Sequence, residues 1–407
     1  MGETTISERL PGEYLFSPHQ TWLRMRREAP VRPVVMPRGL PVYLVTRYAD
    51  VRSALADPRL GKDSRRLNEL FLRQHTGHEA EAPDGDSGAL DNHMLDSDPP
   101  DHERLRRLVN KAFTARRIER LRPRIEQISR DLLDAMAGER EVDLLDAFAF
   151  PLPITVICEL LGMPVEARDD FRRWSNLLLS GGAEAEERDA ERSMTKAMVD
   201  LVAGKRAHPG DDMLSAVVQA RDADDRLTEQ EVTSMAFLLM VAGHETTVNL
   251  IGNGMLALLR HPGQFAALRA DLSLLPGAIE EFLRYQGPLS HATLRFTLEP
   301  AEIGGVLVPE GQIVLVALGS ANLDEDRFPD ADRLDIRRDP GGHLAFGHGI
   351  HYCLGAPLAR LEGEIAFTGL LSRFPAMKLA VDPDDLRWRP GTVIRGLEKL
   401  PVRLTSA

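Results

Sequence analysis

The chain has 407 residues, enough for one large domain or two to three average ones, and for a core able to enclose a sizeable ligand. Apolar residues make up 43% and charged residues 28%, which excludes a disordered chain, and a formal net charge of −12 excludes nucleic-acid binding by bulk charge. Only two cysteines occur, Cys158 and Cys353, which excludes a disulfide framework and a zinc site built from several thiolates. Such scarcity fits a reducing compartment, or a single thiol with a job. The start, Met1 to Phe16, carries Glu3, Glu8 and Glu13 without an apolar run, so it does not read as a signal peptide. Ile6 breaks the myristoylation pattern that Gly2 would open. With no window of 18 apolar residues, the chain is expected in the cytoplasm without a membrane anchor.

In chain order, Pro41 to Thr46 reads as a strand and Asp50 to Ala56 as a short helix. Residues 73–92 are polar and rich in Gly, Asp, Glu and His, as a long loop would be. From Asp101 the pattern is helical, with segments at 101–112, 116–137, 154–161, 167–179, 187–205, 211–221, 228–259 and 274–285 and a break at 181–187. After Pro288 it turns β-like at 293–297 and 305–308, and apolar at 313–318. A Gly-, Asp- and Pro-rich stretch, 319–352, leads to a helix from near Cys353 to about Phe374, and the tail 393–404 reads as short strands. The expectation is a mainly α fold with minor β, in one domain spanning 1–407.

Residues 346–355 read FGHGIHYCLG. Three glycines allow positive φ and close approach to something flat or bulky. A thiol at the start of the helix behind them faces the positive end of its dipole, which favours the metal-ligating thiolate. A buried structural cysteine after a turn fits the spacing equally well. In the 228–259 helix, Ala242-Gly243-His244-Glu245-Thr246-Thr247 follows an apolar run from Met235. Gly inside a helix costs about 1 kcal/mol against Ala, and Thr246 can bond back to the Ala242 carbonyl, loosening the helix into a groove able to hold a diatomic ligand. A tolerated Gly beside an exposed Glu–Thr pair is the plainer alternative. Glu281 and Arg284 stand at i, i+3 and His102 and Arg106 at i, i+4, as surface pairs on helices often do.

The run Phe346, Gly347, Gly349, His351, Cys353, Gly355 resembles, at all six fixed positions, the haem-binding signature of cytochrome P-450 haem-thiolate monooxygenases. The run around Ala242 to Thr246 is similar to the same family's oxygen-binding helix. The resemblance follows nearly the whole chain in order, and looks closest to soluble bacterial members of actinomycete macrolide and polyketide pathways. It implies the cytochrome P-450 fold, with haem b between the long helix (228–259) and the Cys loop (346–355). Cys353 would be the axial thiolate of the iron, with Phe346 and Gly347 against sulfur and ring, and Ala242 and Gly243 over the haem face. Thr246 would hydrogen-bond the bound dioxygen and Glu245 would relay protons; His244 receives no role. His102, Arg106, Arg295 and His351 would pair with the haem propionates. Glu281, Arg284 and Arg338 would form a structural ion-pair network.

The reaction so implied inserts one oxygen atom of O₂ into a C–H bond, or epoxidises, a hydrophobic small molecule, first a macrolide or polyketide, otherwise a steroid or terpene. Family position places substrate contacts on the 73–97 loop, on Leu238 and Val241, on Leu289 and Ala292, and on Val393 and Ile394. With no flavin or nucleotide motif in the chain, electrons from NAD(P)H would arrive through a reductase and a ferredoxin. Nine Arg/Lys and one acid between Arg104 and Arg124 offer such a partner a basic face, unless that run is only a solvated helix face. A monomer is expected, without nucleic-acid or membrane partners. The rivals are a peroxide-using peroxygenase or isomerase on the same fold, and a non-catalytic haem protein.

Overall fold

The structure is a computed structural model that describes residues 8–76, 90–180, 183–219, 221–222 and 225–404. Contacts gather the chain into two compact units, each discontinuous in sequence. The first comprises Met1–Leu60, Arg122–Leu152 and Thr246–Ala407, the second Gly61–Leu121 and Pro153–Glu245.

The first unit holds the principal sheet, in the strand order Val31–Val35, Pro41–Val45, Ile313–Val316, Arg295–Thr297, with Leu60 of the two-residue edge strand Leu60–Gly61 last. The first two strands form an antiparallel hairpin pairing Val31 with Val45 and Val35 with Pro41. Ile313–Val316 then joins parallel to Pro41–Val45, and antiparallel to Arg295–Thr297. Its four side chains are all buried, as a central strand covered on both faces requires. Val45, Val51, Leu55, Val314, Val316 and Leu344 share one core cluster, against which Leu289 and Ala292 pack. A second sheet pairs Pro401–Arg403 between Lys378–Leu379 and Glu141–Asp143. Helices Arg122–Met136, Leu275–Gln286 and Ala356–Arg373 pack together in the same unit.

The second unit is helical, with Asp101–Ala112, Pro151–Leu161 from Pro153 onward, Arg168–Ser180, Glu184–Ala207 and Met213–Gln219. The longest helix, Glu229–Arg260, begins there and continues into the first unit. It is apolar enough over 18 residues to pass for a membrane span, but 72% of that window is buried in the protein's own interior.

Several expected boundaries shift for local reasons. The single helix expected over 116–137 divides into Ala115–Arg120 and Arg122–Met136. Pro123 has no N–H to continue the first ladder, and Thr114 caps the first piece through Arg117 N. The helix expected from 154 begins at Pro151, because proline is tolerated in a first turn. The last helix opens at Ala356, three residues beyond Cys353, with Pro357 in its first turn. The loop expected over 73–92 begins inside the helix Ser64–Thr76, and its centre, 77–89, lies outside the described residues, as do 181–182 of the expected break.

Candidate functional site

In the first unit Cys353 sits half-buried and free of any disulfide at the end of a loop closed on itself. Its backbone N–H donates to the Phe346 carbonyl at 2.9 Å, and Gly347 N donates to Leu344 O at 2.9 Å. Gly347 and Gly349 take φ of +73° and +75°, the left-handed region the glycine pattern called for. At Gly349 a side chain is also excluded sterically, since a Cβ would lie 2.9 Å from the Leu55 carbonyl oxygen. Leu344, buried in the sheet's core, anchors the start of the loop.

Glu281 and Arg284 are buried completely enough to exclude the surface-pair reading. Arg284 Nε and Nη2 donate to Glu281 Oε2 and Oε1 at 2.7 and 2.9 Å. Nη1 donates to the carbonyls of Asn322 and Ala331 at 2.9 and 2.8 Å. Glu281 Oε1 also accepts from Asp335 N at 3.0 Å and Arg338 Nε at 3.3 Å. The three charged residues singled out in the sequence therefore meet, and they pin the irregular 322–338 segment that precedes the cysteine loop.

Arg295, in its strand, is buried at 4% exposure and its Nη1 lies 3.4 Å from Leu60 O, while His351 is half-buried on the 3-10 turn Gly349–His351. In the second unit His102 is buried and Arg106 half-buried, one turn apart on Asp101–Ala112. Burial, with Arg106 and Lys62 nearby, lowers the His102 pKa.

On the long helix, Ala242 is exposed while Met240, His244 and Glu245 are buried, and Val241, Gly243 and Thr246 are half-buried. Ala242 and Thr246 stand one turn apart on one face. Gly243 has a packing reason that the sequence did not reveal. A Cβ there would come within 2.8 Å of Ile157 Cδ1, so the glycine lets the helix bearing Ile157 approach. His244, left without a role in the sequence, is fully buried, with Nδ1 2.8 Å from Met240 O and Nε2 3.8 Å from Glu245 Oε2. Of the expected substrate contacts, Leu238 is buried, and Val241, Leu289, Ala292, Val393 and Ile394 are half-buried. Leu289 bridges Ile394, bringing the last two pairs together within the first unit.

A cluster beside the cysteine loop escaped sequence reading because its members lie far apart in the chain. Arg360 makes a fork to Glu280 at 2.7 and 2.8 Å, and His343 Nε2 lies 2.9 Å from the same carboxylate. Burial alone would raise the Glu280 pKa, but Arg360 and His343 hold it down to about 2. The Arg360 guanidinium also lies 4.6 Å from the centre of the Phe346 ring. These residues line a groove of about 680 Å³ that also includes Arg52, His348 and Tyr352. Of the basic run, Arg107, Lys111, Arg116, Arg117, Arg120 and Arg124 are exposed, whereas Arg104 pairs with Glu231 and Arg122 with Glu364.

Residues 346–355 fit a flat, metal-centred cofactor. A half-buried thiol ends a glycine loop that admits no side chain at Gly349, and Arg295 is a buried cation suited to a carboxylate. Among the described residues no group of three His, Cys, Asp or Glu side chains could hold a metal ion by itself, so a metal reading rests on Cys353.

A family model described as Cytochrome P450 matches residues 183–389. The chain is 56% identical over 385 residues to Cytochrome P450 107B1 of Saccharopolyspora erythraea, covering 95% of this chain and 94% of that protein. It is 45% identical over 410 residues to 6-deoxyerythronolide B hydroxylase of the same organism, covering 98% and 99%. The tirandamycin C-bound P450 monooxygenase TamI superposes with a TM-score of 0.91 at 55% identity, covering 98% of this chain and 100% of that one.

Proposed function

The chain belongs to the cytochrome P450 family and is an oxidoreductase of the haem-thiolate monooxygenase type, and from that premise we propose that it oxygenates a macrolide or other polyketide-derived small molecule, using electrons delivered by a ferredoxin. The observation that carries the reading is the Cys353 loop, with its closed backbone, two positive-φ glycines and half-buried thiol.

In this reading Cys353 would hold the haem iron through its thiolate, and the Phe346 carbonyl, which accepts from the Cys353 N–H, fixes the backbone there. Arg295 and Arg106 would neutralise the two propionates, and His351 and His102 would hydrogen-bond to them. Bound haem iron supplies the dioxygen and one-electron chemistry that no side chain in the chain can perform. Ala242 adds almost no bulk on the Thr246 face, where a small ligand would fit, and Gly243 beside it lets the helix bearing Ile157 approach. Glu245 holds the proton and Thr246 passes it on through its hydroxyl, an acid and relay placed side by side on one helix. The buried His244 ring beside Glu245 restrains where that carboxylate can point. Leu238, Val241, Leu289, Ala292, Val393 and Ile394 offer apolar surface and exclude water from the reacting carbon. The substrate class is supported by the names of the similar proteins, a 6-deoxyerythronolide B hydroxylase and a tirandamycin C-bound monooxygenase.

Electrons enter from outside, and the exposed cations Arg107, Lys111 and Arg116 suit an acidic ferredoxin. The test is turnover of a panel of macrolides and other polyketides, with tirandamycin C included, using NADH, reductase and ferredoxin under ¹⁸O₂. The expected product carries one ¹⁸O atom. Turnover driven by peroxide but not by the electron chain would favour the peroxygenase instead, and no oxidation of any polyketide would remove the substrate class.

A further inference from the structure

His291 lies inside one of the segments proposed to touch substrate, between Leu289 and Ala292, and its own side chain is buried. Its ring is 1% exposed and packs 5.7 Å from Tyr14 and 5.9 Å, edge-on, from Trp22, centre to centre. Both ring nitrogens are engaged. Nδ1 lies 2.6 Å from the Thr392 carbonyl oxygen, and Nε2 lies 2.8 Å from the Tyr14 hydroxyl, which is itself 3.0 Å from Trp22 Nε1.

One placement of protons satisfies this chain. A carbonyl only accepts, so Nδ1–H donates to Thr392. An indole N–H only donates, so the Tyr14 oxygen accepts from Trp22. The Tyr14 O–H therefore donates to Nε2. The imidazole must then be neutral and held in one tautomer. Burial, which pushes the His291 pKa down to about 4, keeps it so throughout the neutral range.

The bond to Thr392 acts on the pocket walls. Ser290 N donates to Val393 O and Arg395 N to Pro288 O, both at 2.8 Å, so 288–292 and 392–395 run as a paired ribbon. The ribbon is fixed at its outer side by the N-terminal segment. Arg395 Nη1 donates to Phe16 O at 3.0 Å, Gly391 N reaches Leu15 O at 3.5 Å, and the Arg395 guanidinium lies 3.9 Å from the centre of the Trp388 ring. His291 is the side chain that joins all three strands of chain.

We infer that His291 is a positioning residue for substrate selection: through Nδ1–H to Thr392, in a tautomer locked by Tyr14 and Trp22, it sets the spacing between Leu289–Ala292 and Val393–Ile394 and hence how a bulky organic substrate is held. The inference rests on the proposal that those two segments contact substrate.

The experiment uses the haem-replete enzyme and two probes, imidazole, which reports access to iron, and 4-phenylimidazole, whose ring also reports the pocket walls. His291→Phe keeps the ring volume but loses both hydrogen bonds. Its Kd for 4-phenylimidazole rises about tenfold, the equivalent of about 1.4 kcal/mol and within the cost of one unmade buried hydrogen bond. Its Kd for imidazole is unchanged, and amide exchange at Ser290 and Arg395 accelerates. His291→Asn, whose amide nitrogen stands near the Nδ1 position, stays close to wild type in all three. Wild-type 4-phenylimidazole binding in His291→Phe, or equal damage in both variants, overturns the inference. Should His291→Phe not fold, Tyr14→Phe releases the tautomer lock and raises the same Kd about threefold, and unchanged binding and exchange there overturn it. Leu289→Ala and Ile394→Ala test the underlying reading separately. If neither alters 4-phenylimidazole binding, the two segments are not pocket walls, whatever His291→Phe does to amide exchange.

Discussion

Replacing Arg284 by methionine removes a buried guanidinium while keeping most of the side-chain length. Glu281, 0% exposed, loses its two-point partner and keeps only Asp335 N and the more distant Arg338 Nε. The Asn322 and Ala331 carbonyls lose their guanidinium donor at the same time. Breaking a buried pair costs about 3–5 kcal/mol, and each stranded buried carbonyl accounts for about 1–3 kcal/mol, partly within that total. Against a typical stability of about 5–15 kcal/mol this is roughly a fifth or more of the whole. With a urea slope of about 3 kcal/mol per molar for a large chain, the unfolding midpoint falls by roughly 1 M or more. The assay is urea unfolding of the haem-replete protein, followed by circular dichroism. Arg333→Ala, an exposed cation paired at 3.8 Å with exposed Asp330, serves as control and shifts stability by less than about 0.5 kcal/mol. Removing both charges in Glu281→Met/Arg284→Met costs less than Arg284→Met alone, because the fully buried carboxylate goes with its partner, while Arg338 keeps the Pro329 and Asp330 carbonyls. A midpoint in Arg284→Met equal to wild type would refute the reasoning.

Three further predictions follow from other parts of the molecule. Glu280 has a folded pKa of about 2, below its unfolded value, so the stability it contributes is complete above about pH 4.5 and fades as the pH falls toward 2. Glu280→Gln therefore flattens the loss of urea midpoint in that window, and an unchanged acid limb would count against the Glu280–Arg360–His343 cluster. Gly243→Val forces bulk toward Ile157 and lowers stability by about 1–3 kcal/mol, and adding Ile157→Ala recovers part of it; no recovery in the double variant would mean that the glycine serves another purpose. Reversing Arg107, Lys111 or Arg116 slows reduction by an acidic ferredoxin roughly tenfold at low ionic strength, with the difference closing as salt is raised. Equal stopped-flow rates at every ionic strength would remove the basic face as a docking site.

The residues that were legible from the sequence are those whose chemistry is written in short spacings. The Phe346 to Gly355 run and the long helix around Gly243 are continuous in the chain, so their geometry follows from local backbone rules. The Glu281–Arg284 pair was readable as an i, i+3 contact, but its burial was not, because helix periodicity alone does not reveal what lies over a given face. The helix His19–Glu28 went unread because only two of its side chains, Trp22 and Met25, are buried, too few for a periodic signal. The π-turn Leu145–Ala149 has no pattern of its own to detect. Networks such as Trp22–Tyr14–His291–Thr392 and Arg360–Glu280–His343 depend on links such as Tyr14 to His291, 277 positions apart, and Glu280 to His343, 63 apart, separations that only the folded chain can close.

The central claim is that Cys353 is the axial ligand of haem iron. It is tested most directly by the carbon-monoxide difference spectrum of the reduced, haem-replete protein. A thiolate-type red-shifted Soret band is predicted for the wild type, together with its loss in a folded Cys353→Ala variant. Absence of that band in the wild type, or its persistence in Cys353→Ala, would contradict the account.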